Sequence, residues 1–310
     1  VSFKGYKVPF KEYIGYFLDS NLYLKNIILS KLDIHNDNLS DIKSIYLEVE
    51  NNSIKKMLEN IPHSIYKKKY YNAYLLYPDG VKRKISFRVR GRNNWHWHHN
   101  KPSLRLKLNK KYTIDLHRHL NLINPEDKLM ISNPYGEVLS KKFGVLSNSS
   151  EFVNVFINNE FVGLYHLLER LDESFLRNNK IMPGPIYTGD RLYKKWDVRD
   201  FDKESTNGIL QDFRYISKSG QIKTKPIYNP LYDLLEVMNG KIDRKSLNEF
   251  WNLIDKDKLA AFSALMSVTA NTHSDFNHNQ AFYFNYSSGR IEPISVDMNI
   301  LGMLLKPGPI

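Results

Sequence analysis

Residues 71–90 read YNAYLLYPDGVKRKISFRVR, and this stretch decides the fold reading. Apolar and polar residues alternate over 71–77 and again over 84–90, the two-residue period of a half-buried strand. Pro78-Asp79-Gly80 between them is a hairpin signal, because Asp and Gly accept the turn backbone that tight connections require. Just downstream, residues 103–108 read SLRLKL and alternate strictly. Leu104, Leu106 and Leu108 share one face; Ser103, Arg105 and Lys107 share the other, with Lys101 in register.

The same pattern continues outward. Residues 44–50 (SIYLEVE) predict a strand, and residues 151–158 and 161–169 predict a hairpin across Asn158-Asn159-Glu160. Residues 280–285 and 290–297 predict a last hairpin. Helical spacing predicts helices over 53–61, with Ser53 as N-cap, and over 134–145, 171–178, 231–238, 246–253 and 256–270. Residues 1–40 read as an extension, and 180–230, rich in Gly, Pro, Tyr and Lys, as irregular loops. Runs of strands followed by runs of helices predict an α+β chain of two lobes. A strand-rich lobe is expected over 41–170 and a mainly helical lobe over 171–310.

The 310 residues are 42% hydrophobic, enough for a sizeable core without staples. With no cysteine there is no disulfide scaffold, thiol nucleophile or Cys-bound metal. No apolar run reaches the ~18 residues of a membrane helix. The chain opens VSFKGYK, without initiator Met or apolar leader, so any targeting segment is expected to lie outside this sequence. A net charge of +12 favours anionic partners such as nucleotides or nucleic acid. The phosphate-binding loops G-x-x-x-x-G-K-[ST] and G-x-G-x-x-G are absent, as are H-E-x-x-H and G-x-S-x-G.

The sharpest candidate site is acidic. Asp275 is expected at a helix end and Asp297 at a strand end, joined through one hairpin. Together with the amide oxygens of Asn279 or Asn299 they would form a hard oxygen site for Mg²⁺ or Mn²⁺ against phosphates, or supply a base for an attacking hydroxyl. The alternative is that these residues cap turns and end a strand. A second candidate is cationic: Lys101, Arg105 and Lys107 beside Arg88, Arg90, Gly91 and Arg92 could grip a polyphosphate, or form a solvated sheet face. In WHWHH (95–99), His96 and His98 could chelate a metal, but no acidic or Cys ligand adjoins them. Its aromatics with the basic patch would also suit nucleic acid, yet the positive charge is dispersed and no recognition helix appears. Glu169 by itself reads as a surface carboxylate before a helix.

Taken in order, RVRGRNNW (88–95), KPSLRLKL (101–108), VFINNEFVGLYHLLERLDESFL (155–176), ANTHSDFNHNQAFYF (270–284) and PISVDMNILG (293–302) resemble the motifs of the spore coat protein H (CotH) kinase family, with Asn159 at a family glycine position. The resemblance implies a two-lobed, atypical protein-kinase-like fold. It also implies ATP- and Mg²⁺- or Mn²⁺-dependent transfer of the γ-phosphoryl group to Ser or Thr of a protein substrate. On this resemblance Asp275 is the candidate base or metal-facing carboxylate. Asp297, with Asn279 and Asn299, is the candidate metal site, and Arg90, Lys101, Arg105, Lys107 and Glu169 are assigned to ATP. The implied setting is a spore coat, cell envelope or secreted layer.

This sequence departs from the pattern at Val296, in place of Trp, and at Asn299, in place of a second Asp, which lowers the charge offered to a metal. The family also carries more C-terminal sequence. Two other readings remain: a nucleotide-binding pseudokinase with an assembly role, and a basic nucleic-acid-binding protein.

Overall fold

The computed structural model describes residues 2–3, 6–7, 42–59, 69–91, 96, 101–109, 111–124, 131–189, 214–217, 230, 233–234, 237, 243–271 and 279–298. In chain order the strands are β1 (Ser2–Phe3), β2 (Tyr6–Lys7), β3 (Ser44–Glu48), β4 (Tyr71–Leu76), β5 (Lys82–Val89), β6 (Leu104–Lys107), β7 (His119–Ile123), β8 (Leu146–Ser147), β9 (Ser150–Ile157), β10 (Glu160–Leu168), β11 (Ile186–Gly189), β12 (Arg214–Ser217), β13 (Gln280–Asn285) and β14 (Arg290–Ser295). The helices are α1 (Asn51–Glu59), α2 (Ser132–Lys142), α3 (Glu173–Asn178), α4 (Arg244–Leu253) and α5 (Lys256–Thr269). The contacts divide the chain into two units, 1–126 with 151–168, and 127–150 with 169–310.

The first unit is a closed seven-stranded barrel in the order β10-β7-β6-β5-β4-β3-β9. β10–β7, β7–β6, β6–β5, β5–β4 and β4–β3 pair antiparallel, and β3 pairs with β9 in parallel. Closure removes the free edges that an open sheet leaves. The alternation read from the sequence places Ile45, Leu47, Ala73, Leu75, Ile85, Phe87, Leu104, Leu106, Val153, Val155 and Tyr165 in one buried cluster, which Leu122 of β7 joins. The interior is therefore filled by side chains, as barrels of this size are, and polar chemistry is confined to the outer face and the ends.

Turn chemistry sets the register. Gly80 takes φ +77°, and the Asp79 carboxylate accepts from the Val81 N–H, which builds the β4–β5 turn where it was expected. Asn158 and Asn159 sit at φ +53° and +67°, the doubly left-handed backbone of a tight hairpin, and connect β9 to β10. This explains a glycine preference at position 159. The Asn158 carboxamide accepts from the Val49 N–H and donates to the Val49 carbonyl, both at 2.8 Å, and so extends the β3–β9 pairing by one side chain.

The second unit holds a five-stranded sheet in the order β12-β11-β13-β14-β8, with β8 parallel to β14. Asp172, Asp243 and Asp255 cap α3, α4 and α5 by accepting backbone N–H bonds from Ser174, Ser246 and Lys258.

These findings correct the expected two-lobed protein-kinase-like fold with a helical C-terminal lobe. The structure is strand-rich, with a closed barrel, a second sheet and five helices among the described residues. Six strands escaped the sequence reading, of which β1, β2 and β8 have only two residues each. β7 is short and nearly all buried, so it lacks alternation; β11 and β12 have four residues each and lie in the region read as irregular. Helix α1 begins at Asn51, so Ser53 lies inside it and donates to the Glu50 carbonyl at 2.8 Å rather than capping it.

Candidate functional site

The hairpin β13–β14 brings the two described residues of the predicted metal group together. Its register pairs Phe282 with Pro293 and Asn285 with Arg290, so the residues just outside its open end are neighbours. Asn279 Nδ2 donates to Asp297 Oδ2 at 3.0 Å. Both residues hold left-handed backbone, at φ +56° and +53°. Each such non-glycine residue costs about 1 kcal/mol or more, and such strain concentrates at functional sites. Asp297 is exposed and Asn279 half-buried.

The end of α5 lies beside them. Its C-cap, Ala270, is also left-handed at φ +48°, and the next residue, Asn271, is buried with Nδ2 3.0 Å from Met298 Sδ. The end of α5 and the end of β14 are thus in contact through Asn271 and Met298. Asp275 and Asn299 lie outside the described residues. One carboxylate and one carboxamide offer the hard oxygens that Mg²⁺ and Mn²⁺ prefer, while leaving positions for water and phosphate. No cluster of three or more His, Asp or Glu suited to a metal occurs among the described residues.

The barrel spreads the candidate cations. Arg105 pairs directly across from Arg88 on one side and Asn121 on the other, and its Nε donates to Asn121 Oδ1 at 2.8 Å. Lys107 lies between Ser86 and His119, with its ammonium 5.5 Å from the Tyr70 ring centre. Arg88 stands 5.2 Å from the same ring. Arg90 is half-buried and its N–H donates to the Ser103 carbonyl at 2.7 Å.

Lys101 differs from the others. Its ammonium donates to the Leu164 carbonyl at 2.5 Å and lies 4.7 Å from the Tyr165 ring centre. Loss of hydration pulls its pKa down to about 8. Of the histidines in the 95–99 loop only His96 is described; its ring packs on Gly91, where φ is +90° and a Cβ would collide with the ring.

Glu169 is buried rather than on the surface. Oε2 accepts from the Ser149 N–H and hydroxyl, both at 3.1 Å, and Oε1 accepts from Asn178 Nδ2 at 3.0 Å. A second buried carboxylate, Glu137 on α2, accepts from the Ser150 hydroxyl at 2.8 Å. Burial pushes the Glu137 carboxyl up to about 7; the Glu169 charge adds to this, while Ser150 and Lys141 oppose it. Glu137 belongs to no motif, and its helix carries no clear apolar stripe, so nothing in the sequence singled it out.

A strand-rich chain with a packed barrel, an outer cationic face and an Asp–Asn pair at a hairpin mouth is the class defined so far. Residues 87–302 match the CotH kinase protein family. That span is more than half of the chain and takes in parts of both units, and the chain belongs to this family. The chain is also 28% identical over 180 residues to inner spore coat protein H of Bacillus subtilis (strain 168), covering 58% of this chain and 48% of that protein. It therefore spans about half the length of that curated relative.

Proposed function

We propose that this chain is an ATP- and divalent-cation-dependent protein kinase that transfers the γ-phosphoryl group to Ser or Thr hydroxyls. The observation that carries the reading is the Asn279–Asp297 pair, held in strained backbone inside the span matched by the family. Asp297, with Asn279 and Asn299, is the set assigned to Mg²⁺ or Mn²⁺, which when bound would neutralise charge on the phosphate oxygens. Asp275 is assigned to the acceptor hydroxyl as base. Arg90, Lys101, Arg105 and Lys107 are assigned to the phosphates. Glu169 shapes the segment around Ser149 through the bonds it accepts. The name of the relative supports a spore-coat setting.

The test is phosphotransfer from labelled ATP with Mn²⁺ or Mg²⁺, comparing the native chain with Asp297→Asn. Asn tolerates left-handed backbone, so this change removes the charge while keeping the turn. Transfer is expected to fall roughly 10- to 100-fold, the usual cost of damaging a metal site. ATP binding with no transfer to any acceptor would instead favour an assembly role, consistent with Asn299 standing where the family has Asp. Absence of ATP binding, with salt-sensitive oligonucleotide binding, would favour the nucleic-acid reading.

A further inference from the structure

The candidate cations Lys101, Arg105 and Lys107 are not equivalent, and a glycine in β10 makes the difference. Gly163, in β10, has φ +129°, a conformation that side chains rarely adopt. Glycine inside a strand weakens it, and its usual reason is a bulge or the close approach of another group. Here the group is Lys101. A Cβ added at Gly163 would lie 3.1 Å from Lys101 Cε and 3.2 Å from Nζ, tighter than ordinary contact. The next residue, Leu164, supplies the carbonyl that accepts from the ammonium, and Tyr165 supplies the ring beside it.

Tyr165 is fully buried, and its hydroxyl donates to the Pro102 carbonyl at 3.2 Å, which fastens the chain next to Lys101 onto β10. Three successive residues of β10 thus form a seat for one amine. Arg105 has its Nε on Asn121 and lies within a sheet face. The Lys101 ammonium meets a neutral carbonyl and a neutral ring, neither of which cancels its charge.

We propose that Gly163 is a positioning residue that seats the Lys101 ammonium as an anion-binding group, through which this chain takes the phosphate chain of a nucleotide. The inference rests on the nucleotide-binding reading above and adds to it which cation is used and what places it. A cation that has lost hydration and faces a carbonyl gains from an incoming phosphate oxygen, because a charge-assisted bond then replaces the water it lacks. Its proton is also held more tightly once the anion is bound. The groups around it are the Leu164 carbonyl and the Tyr165 phenol, whose own pKa burial drives far above its ordinary value, so Tyr165 stays neutral over the range tested. Loss of hydration is the one cause acting on the free amine.

The experiment titrates MgATP and, separately, tripolyphosphate into the native chain, Lys101→Met and Gly163→Ala, by calorimetry at pH 7 and pH 9. In parallel, acetylation of Lys101 by a water-soluble amine reagent is followed by mass spectrometry with and without each probe. The expected result is at least tenfold weaker binding of both probes in Lys101→Met. Native affinity falls between pH 7 and pH 9, a slope that Lys101→Met lacks, and both probes protect Lys101 from acetylation in the native chain. Gly163→Ala, where it folds, weakens binding and changes the acetylation rate of Lys101.

If MgATP binds the native chain and Lys101→Met equally and leaves Lys101 unprotected, the inference fails while the nucleotide reading stands. If tripolyphosphate binds through Lys101 and MgATP does not bind, the nucleotide reading fails while the anion site stands. If neither probe binds the native chain, both are overturned. Lys101→Met changes no residue of β10, so the outcome does not depend on whether Gly163→Ala folds.

Discussion

The barrel and the second unit are built on different balances of forces. Among the described residues the barrel unit buries Ser103, Asn121, Asn154 and His166 as its polar residues, and its apolar interior forms one cluster. The second unit buries three glutamates, Glu137, Glu169 and Glu292, and several serines and asparagines, and its apolar residues fall into smaller clusters. Stability in the barrel should follow apolar volume. In the second unit it should depend on whether buried carboxyls are charged and hydrogen-bonded.

The largest expected effect tests the barrel half of the comparison. Phe87 is 1% exposed at the centre of the cluster. Phe87→Ala should cost about 3–5 kcal/mol, through lost transfer energy and the cavity left behind. Urea unfolding should show this loss with little change between pH 5 and pH 8. A loss under ~1 kcal/mol would mean that the interior is not close-packed.

Next comes Glu137. Its carboxyl has an ordinary value of 4.5 and is pushed up to about 7 in the folded chain. Below pH 4.5 it is protonated whether folded or not, and burial carries no charge penalty. As pH rises from 4.5 to about 7 the unfolded chain ionises first, so this group's contribution to stability falls, and above about 7 it levels off. The change is on the order of 3 kcal/mol. Glu137→Gln, which keeps the shape and remains neutral, should flatten this part of the pH profile and be the more stable form at pH 8. Matching profiles for the native and Gln forms would erase the contrast between the two units.

The smallest effect concerns the turn between β9 and β10. Asn159 at φ +67° occupies backbone that glycine adopts without steric cost. Asn159→Gly should raise stability by no more than ~0.5 kcal/mol, because Asn already tolerates this backbone and glycine adds entropy to the unfolded chain. Thermal unfolding would register the sign.

The same contrast explains what was legible. The barrel strands β3, β4, β5, β6, β9 and β10 were read nearly residue by residue, because each has one buried and one solvated face and so alternates. β7, with four of its five residues buried, gave no such signal. The second sheet was legible only at β13 and β14; β8 has two residues, and β11 and β12 are short strands whose partners lie far away in sequence. The Asn279–Asp297 pairing was readable because a single hairpin separates the two residues. Glu137 was not, since its partners Ser150 and Glu169 reach it only through tertiary packing.

By itself the amino-acid order determined the hairpins, their inward leucines, the turn residues, the cationic stripe and the family, since each depends on neighbours within a strand or turn. Tertiary structure alone decided that the strands close into a barrel and that the region expected to be helical carries a sheet. It also decided that Glu169 is buried and that Lys101 rests against Gly163. Those outcomes depend on which distant segments exclude water from one another, and local periodicity carries no record of that.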